Sequence, residues 1–316
     1  MDQYVQDLRT RKLSPHTEKA YRSDLLEVLT LIAAPLDCAP AEVVVSSLTR
    51  EAVRSGFARF ALTRSAASVA RAWSTWNGWF AFLLLHNVVE GNPMQAIRRP
   101  KGSAKRPKPL RGEDSPERLL ATVAAPIVGA RTGWPCRDLA AVALLLCTGV
   151  RSSELLALTV SDIAGRPGGH RIGVRGKGGT FRTIPLDDSL HTLLADYLAD
   201  RRERFGPTRP GDALFVDTRG EPLRRGGLQY LIGRALRAAG VHDQVPAGAA
   251  VHALRHTFAT RLAEDGATAA DIAALLGHAS LTTSQAYIDA SGREQRRAVL
   301  GQRTTRIVRT LVDVHD

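Results

Sequence analysis

The chain has 316 residues, 44% apolar and 23% charged, which is enough to bury a core in about two domains and too apolar for a disordered chain. No run reaches the roughly 18 apolar residues a bilayer demands, and the opening MDQYVQDLRTRK lacks the apolar core of a secretory signal, so the expected location is the cytoplasm. With 43 Lys+Arg against 31 Asp+Glu, the net charge of +12 points to a polyanionic partner, nucleic acid first; an Arg-rich proteome would give the same sum, so the placement of the charge matters more.

Residues 1–98 read as several helices. LSPHTEKAYRSDLLEVLTLI offers Ser14 as a cap and Pro15 at the first helical position. Further on, SAASVARAWSTWNGWFAFLLLHNVV places Trp73, Trp76 and Trp79 along one side of a helix, where indoles either fill a core or stack on bases. The apolar run FAFLLL continues that helix and favours the core.

Residues 99–111 belong to a Pro- and Gly-rich stretch that reads as an extended linker. Arg98, Arg99, Lys101, Lys105, Arg106, Lys108 and Arg111 crowd this region with no acid before Glu113. A solvated spacer is the plain reading, but uncompensated cations repel one another, and DNA phosphates would neutralise them.

From residue 112 to 316 the pattern is again helical, broken by one β segment, HRIGVRGKGGTFRTIPL, whose Gly-Lys-Gly-Gly centre marks a hairpin with Lys177 at its tip. A tip lysine is ordinarily a solvated turn residue. The three cysteines, Cys38, Cys136 and Cys147, are too few and too scattered for a disulfide framework or a zinc site, and Cys147 in LAAVALLLCTG reads as a small core residue.

The stretch VHALRHTFATRLAEDG is a helix closed by Gly266, with His252 and Arg255 sharing a face. TAADIAALLGHASLTTSQAYIDA follows, with Thr268 as cap, Gly277 as stop, His278 in the turn and Tyr287 beyond. In CTGVRSSELLAL, Arg151 follows a Thr-Gly break just before a new helix. Singly, each of these has an ordinary explanation: a satisfied core histidine, a salt-bridging arginine, a buried tyrosine. Together they form a chemical set. Two arginines can clamp a phosphate, histidines can donate to it or move a proton, and a tyrosine hydroxyl can attack phosphorus. Lys177 could protonate the leaving oxygen, and no carboxylate cluster suggests a two-metal site, so the chemistry is expected to need no metal and no cofactor. His256 is ambiguous and is left structural.

TGVRSSELLAL, GKGGTFRTIPL, HALRHTFAT and LGHASLTTSQAYI, in that order, resemble the tyrosine recombinase (phage integrase) family, nearest its Xer-like members, over essentially the whole chain. The resemblance implies a mainly α fold with a small β-sheet in the catalytic domain (α+β), arranged as a two-domain DNA clamp, with a SAM-like core-binding domain at 1–98, a basic DNA-contacting linker and a catalytic domain at 112–316. It implies that Arg151 and Arg255 bind the scissile phosphate, Lys177 is the general acid, His252 assists proton transfer at the nucleophile, and His278 hydrogen-bonds the phosphate. Tyr287 would form the 3′-phosphotyrosyl link, with Glu154 orienting Arg151.

The implied partners are a double-stranded recombination site and a tetramer on two sites, built from copies of this chain or with a related recombinase. The implied role is chromosome dimer resolution during segregation. After the tyrosine the chain reads YIDASGREQ where Xer members begin Tyr-Thr-His, which keeps an integrase of a phage or other mobile element open. A non-catalytic DNA-binding protein of this fold and a type IB topoisomerase are the readings from other classes. The tail carries Val299, Leu300, Ile307, Val308, Leu311 and Val312, an amphipathic segment that would dock on its own subunit or, by resemblance, on a neighbour.

Overall fold

The computed structural model describes residues 1–10, 15–100, 108–112, 114–125, 133–176, 179–246 and 248–291. Ser14, Lys101, Lys105, Arg106, Lys177 and the apolar tail positions therefore lie outside the described residues. The chain separates into two compact units, Met1–Lys105 and Arg106–Asp316.

The first unit is helical: α1 (Asp2–Thr10), α2 (Pro15–Ala33), α3 (Arg50–Thr63) and α4 (Ala66–Leu85), with three short 3-10 turns between α2 and α3. Thr49 and Ser65 cap α3 and α4 by accepting from the third backbone N–H beyond them. Trp76 and Trp79 are buried, and their rings meet edge-on at 5.2 Å in a core with Phe57 and Phe80. Trp73 is half-buried, its indole donating to the Ile97 carbonyl at 2.8 Å. All three indoles face protein.

The second unit holds α5 (Ser115–Ala124), α6 (Pro135–Thr148), α7 (Ser152–Ala157), α8 (Asp188–Phe205), α9 (Arg225–Ala238), α10 (Ala250–Asp265), α11 (Ala269–Leu276) and α12 (Leu281–Ser291). An antiparallel sheet, β1 (Ile163–Ala164), β2 (Arg171–Arg175) and β3 (Phe181–Pro185), packs against them. The expected hairpin is β2–β3, in register from Arg171 opposite Pro185 to Arg175 opposite Phe181. Strand β1 is two residues long, too short to leave an alternating pattern in the sequence. The core runs through α6, whose Ala140–Leu145 are all buried.

One reading is corrected. Cys147 is exposed, not a core residue. It lies on the same face of α6 as Ala143, lining an open apolar groove shared with Leu120, Leu139 and Leu190. An apolar run on a helix reveals no face as uncovered until its neighbours are known.

Candidate active site

Two helix stops set the site. Gly149 ends α6 at φ 60°, and a Cβ there would lie 2.3 Å from the Phe258 ring, so only glycine fits. Two residues later Arg151 caps α7, its own backbone N–H donating to Glu154 Oε2 at 2.7 Å. Gly277 ends α11 at φ 63°, where a Cβ would approach the Arg182 guanidinium at 3.0 Å, and this turn presents His278.

The last carbonyls of α11 gather three arginines. Arg182 Nε donates to the Leu275 carbonyl at 2.7 Å, Arg255 Nη2 to Leu276 at 2.8 Å, and Arg151 Nη2 to Gly277 at 3.3 Å. These acceptors form the negative end of the helix dipole, which favours cations that would otherwise repel one another. One carboxylate joins them: Glu154 accepts from Arg151 Nη1 at 2.7 Å and from both Nη atoms of Arg182 at 3.0 and 2.8 Å. Burial works against the charged form of Glu154, but donation from Arg182 and from Arg151's backbone and side chain outweighs it and holds the carboxyl at about 2. Three guanidinium groups against one carboxylate leave a local excess of positive charge. Arg255 is 2% exposed, also donates to the Gly149 carbonyl at 2.6 Å, and is lowered by burial and by Arg151 to about 10, still charged at neutral pH.

Arg151, His252 and Arg255 line one open cleft of about 360 Å³, with Ser152, Arg225 and Gln229 on the same wall. His278 sits beside it. Its Nε2 lies 3.1 Å from Arg255 Nη2, an obligate donor, so Nε2 accepts and Nδ1 carries the proton toward Ser284 Oγ at 2.9 Å. Burial, then Arg255, Arg151 and Arg182, lower this imidazole to about 4, so it is neutral at pH 7. The Ser284 hydroxyl can donate as well as accept, so it supports the other tautomer too, in which Nε2–H points at an incoming anion.

Tyr287 on α12 is 4% exposed and is not among the residues lining the cleft. Its hydroxyl lies 2.8 Å from His256 Nδ1. Burial raises the phenol above its ordinary value, against the pull of Arg255 and Arg151. Burial, followed by His252, Arg255 and His278, pushes His256 down to about 4, leaving a neutral ring that can accept the phenol proton. His252 meets His256 edge-on at 4.5 Å between ring centroids.

The structure thus brings together Arg151, Glu154, His252, Arg255, His278 and Tyr287, while Lys177 lies outside the described residues. Arg98, Arg99 and Lys108 are exposed. Sequence reasoning missed Arg182, Ser284 and the contact made by His256. Arg182 shares strand parity with the buried Ile184, and a cation on a core-facing register was a legible signal. His256 is one helical turn from His252, on the same face of α10.

Comparison with known proteins agrees with this geometry. Residues 113–294 match the phage integrase family, and residues 1–87 match the phage integrase N-terminal SAM-like domain. The chain is 34% identical over 281 residues to tyrosine recombinase XerC of Mycobacterium tuberculosis, covering 87% of this chain and 88% of that one. It is 32% identical over 280 residues to XerD of Listeria monocytogenes, covering 88% and 89%. Its fold matches the crystal structure of XerH site-specific recombinase bound to a palindromic difH substrate, with TM-score 0.68, 22% identity and coverage of 81% and 73%. A mainly α unit with this small sheet, carrying arginines around a cleft and a tyrosine behind it, defines a recombinase fold. The chain belongs to the phage integrase family, as a site-specific tyrosine recombinase of the Xer type that breaks and rejoins DNA.

Proposed function

We propose that Tyr287 attacks a DNA phosphodiester clamped by Arg151 and Arg255, stores the bond as a 3′-phosphotyrosyl link, and releases it to an incoming 5′-hydroxyl. The observation that carries this reading is the convergence of three guanidinium groups at the end of α11 with one carboxylate between them, two of the three, Arg151 and Arg255, lining an open cleft. Such a cluster is preorganised for an anion, and its charge can act on the pentacovalent transition state without rearrangement. Glu154 orients Arg151, and His278 donates to the phosphate with Ser284 supplying the complementary hydrogen bond. Lys177 protonates the leaving oxygen, and His252 stands on the cleft wall where the phosphate would lie.

The helical first unit and the cations Arg98, Arg99, Lys101, Lys105, Arg106 and Lys108 add phosphate contacts on the same duplex. The reaction uses no metal, and activity is expected to survive EDTA. Four protomers act on two sites. The names of its relatives support chromosome dimer resolution, and the departure YIDASGREQ keeps integration of a mobile element as the competing role. Action on chromosomal DNA would put the chain in the cytoplasm; among the described residues no helix is long and apolar enough to cross a membrane.

The test is Tyr287→Phe on a nicked suicide substrate. Covalent protein–DNA adducts are expected to vanish while site binding persists, and adducts at the wild-type yield would overturn the nucleophile assignment. Mapping adducts on genomic DNA separates a chromosomal site from a mobile-element end.

A further inference from the structure

We propose that His256, not His252, is the group that takes the proton from Tyr287 as its oxygen bonds to phosphorus and returns it when the strand is resealed. The contact is direct: His256 Nδ1 lies 2.8 Å from the Tyr287 hydroxyl. His252 is on the other side of His256, its ring edge-on at 4.5 Å, and it lines the cleft where the phosphate would lie. The three groups run from the buried phenol to the cleft in the order Tyr287, His256, His252. This deepens the proposed function and rests on Tyr287 being the nucleophile.

The step balances. During cleavage the Tyr287 O–H bond breaks and an N–H bond forms on His256, the O–P bond forms, and the 5′-oxygen leaves with a proton from the general acid. On resealing, the 5′-hydroxyl returns its proton to the general acid as its oxygen bonds to phosphorus, the O–P bond to Tyr287 breaks, and the phenol oxygen recovers its proton from His256.

The surroundings also make this base conditional on substrate. The charged and titratable groups around His256 are His252 and Arg255 on its own helix, His278 in the turn after α11 and Tyr287 on α12. Burial, His252, Arg255 and His278 all act against the protonated ring in the free protein. A phosphate bound to Arg255 and Arg151 places negative charge against those guanidinium groups, which lifts that opposition and makes His256 a stronger base once DNA is in place. A free subunit therefore keeps its tyrosine as a hydrogen-bonded phenol, and the bound phosphate completes the base.

The experiment is single-turnover cleavage of the suicide substrate by full-length His256→Gln and His256→Ala from pH 6 to 9, at saturating DNA, with His252→Gln in parallel. At pH 7 both His256 variants are expected to cleave on the order of 10²-fold more slowly than wild type. Their deficit should narrow by about tenfold per pH unit, because solvent hydroxide then removes the phenol proton. A deficit that stays constant with pH would show a packing role and overturn the proposal, as would cleavage within a few-fold of wild type. Narrowing in His252→Gln alone would return the role to His252.

If the His256 variants do not fold, the ¹⁵N-imidazole spectrum of Tyr287→Phe decides. One histidine Nδ1 resonance should shift strongly as its hydroxyl partner disappears, and no shift overturns the contact. Failure of this inference leaves Tyr287→Phe inactive, whereas failure of the nucleophile assignment leaves Tyr287→Phe forming adducts.

Discussion

One buried charge in each unit is treated in the opposite way to the other. In the first, Asp24 is 1% exposed and is matched by Arg71, whose Nε and Nη2 donate to its two oxygens at 2.8 Å each. The charge is cancelled where it is buried. In the second, Arg255 is buried to a similar degree, but its partners are carbonyls and a neutral imidazole, and two further guanidinium groups stand nearby. Burying charge without a counter-ion costs stability, and proteins retain such an arrangement where a ligand supplies the missing ion. The Asp24–Arg71 pair is built to pack, the Arg255 cluster to receive an anion.

Removing one guanidinium from each unit tests that contrast most strongly. Arg255→Lys keeps the charge but loses the planar fork, and single-turnover cleavage is expected to fall about 10³-fold. Arg71→Gln leaves Asp24 without its ion pair and should lower stability by roughly 1–3 kcal/mol, yet leave the cleavage rate at saturating DNA within about twofold. Equal losses of rate in both variants would break the comparison.

Acid should also separate the units. His256 and His278 are held near 4 against an ordinary value of 6.5, so the unfolded chain takes up protons first as pH falls. The stability contributed by these neutral rings is complete above 6.5 and is lost as pH drops toward 4, on the order of 2 kcal/mol for each ring. Glu154, held at about 2 against 4.5, gives up its contribution between 4.5 and 2, mostly below that window. In the first unit His86 is exposed, and no residue described there as buried is a histidine. A Trp134→Phe chain, whose remaining tryptophans Trp73, Trp76 and Trp79 all lie in the first unit, should keep its fluorescence transition unchanged from pH 7 to 5. Over the same range the far-UV helix signal should resolve an earlier melting step. A single transition that moves as one would show that the units are not independent in this respect.

Much of this site could be read from the sequence because its determinants are local. Gly149, Gly266, Gly277 and the Thr268 cap act within a turn of their own positions, so the helix ends and the emergence of Arg151 and His278 were readable. The hydroxyl partner of Tyr287 was not, because it lies 31 residues away and depends on how α10 and α12 pack. Cys147 misled for the same reason: its exposure is decided by the helices that leave the groove open. Arg182 is intermediate, since strand parity announces an inward cation but not its partner Glu154, 28 residues distant.

That partner gives a smaller test within the second unit. Arg182 joins β3 to both Glu154 and the end of α11, so Arg182→Met should let Glu154, and with it Arg151, reorient without removing either arginine of the proposed phosphate clamp. Cleavage is expected to fall about 10- to 30-fold with little change in DNA affinity, since the lost group positions the clamp and does not touch the phosphate. A parallel fall in affinity and rate would mean that Arg182 itself contacts DNA.

The smallest effect belongs to the exposed cations, and it separates surface charge from buried charge. Lys108 is exposed, and Lys101, Lys105 and Arg106 share its stretch of sequence. Cations that release counter-ions from DNA contribute through the salt dependence of binding, independent of sequence and of the chemical step. Replacing Lys101, Lys105, Arg106 and Lys108 with Gln should therefore weaken binding to specific and random duplexes equally. It should also flatten the plot of log affinity against log salt by about 0.9 for each lost phosphate contact, with the cleavage rate at saturation unchanged. An unaltered slope would mean that these side chains stay hydrated in the complex, and the excess charge that holds DNA would then have to be sought on the two folded units.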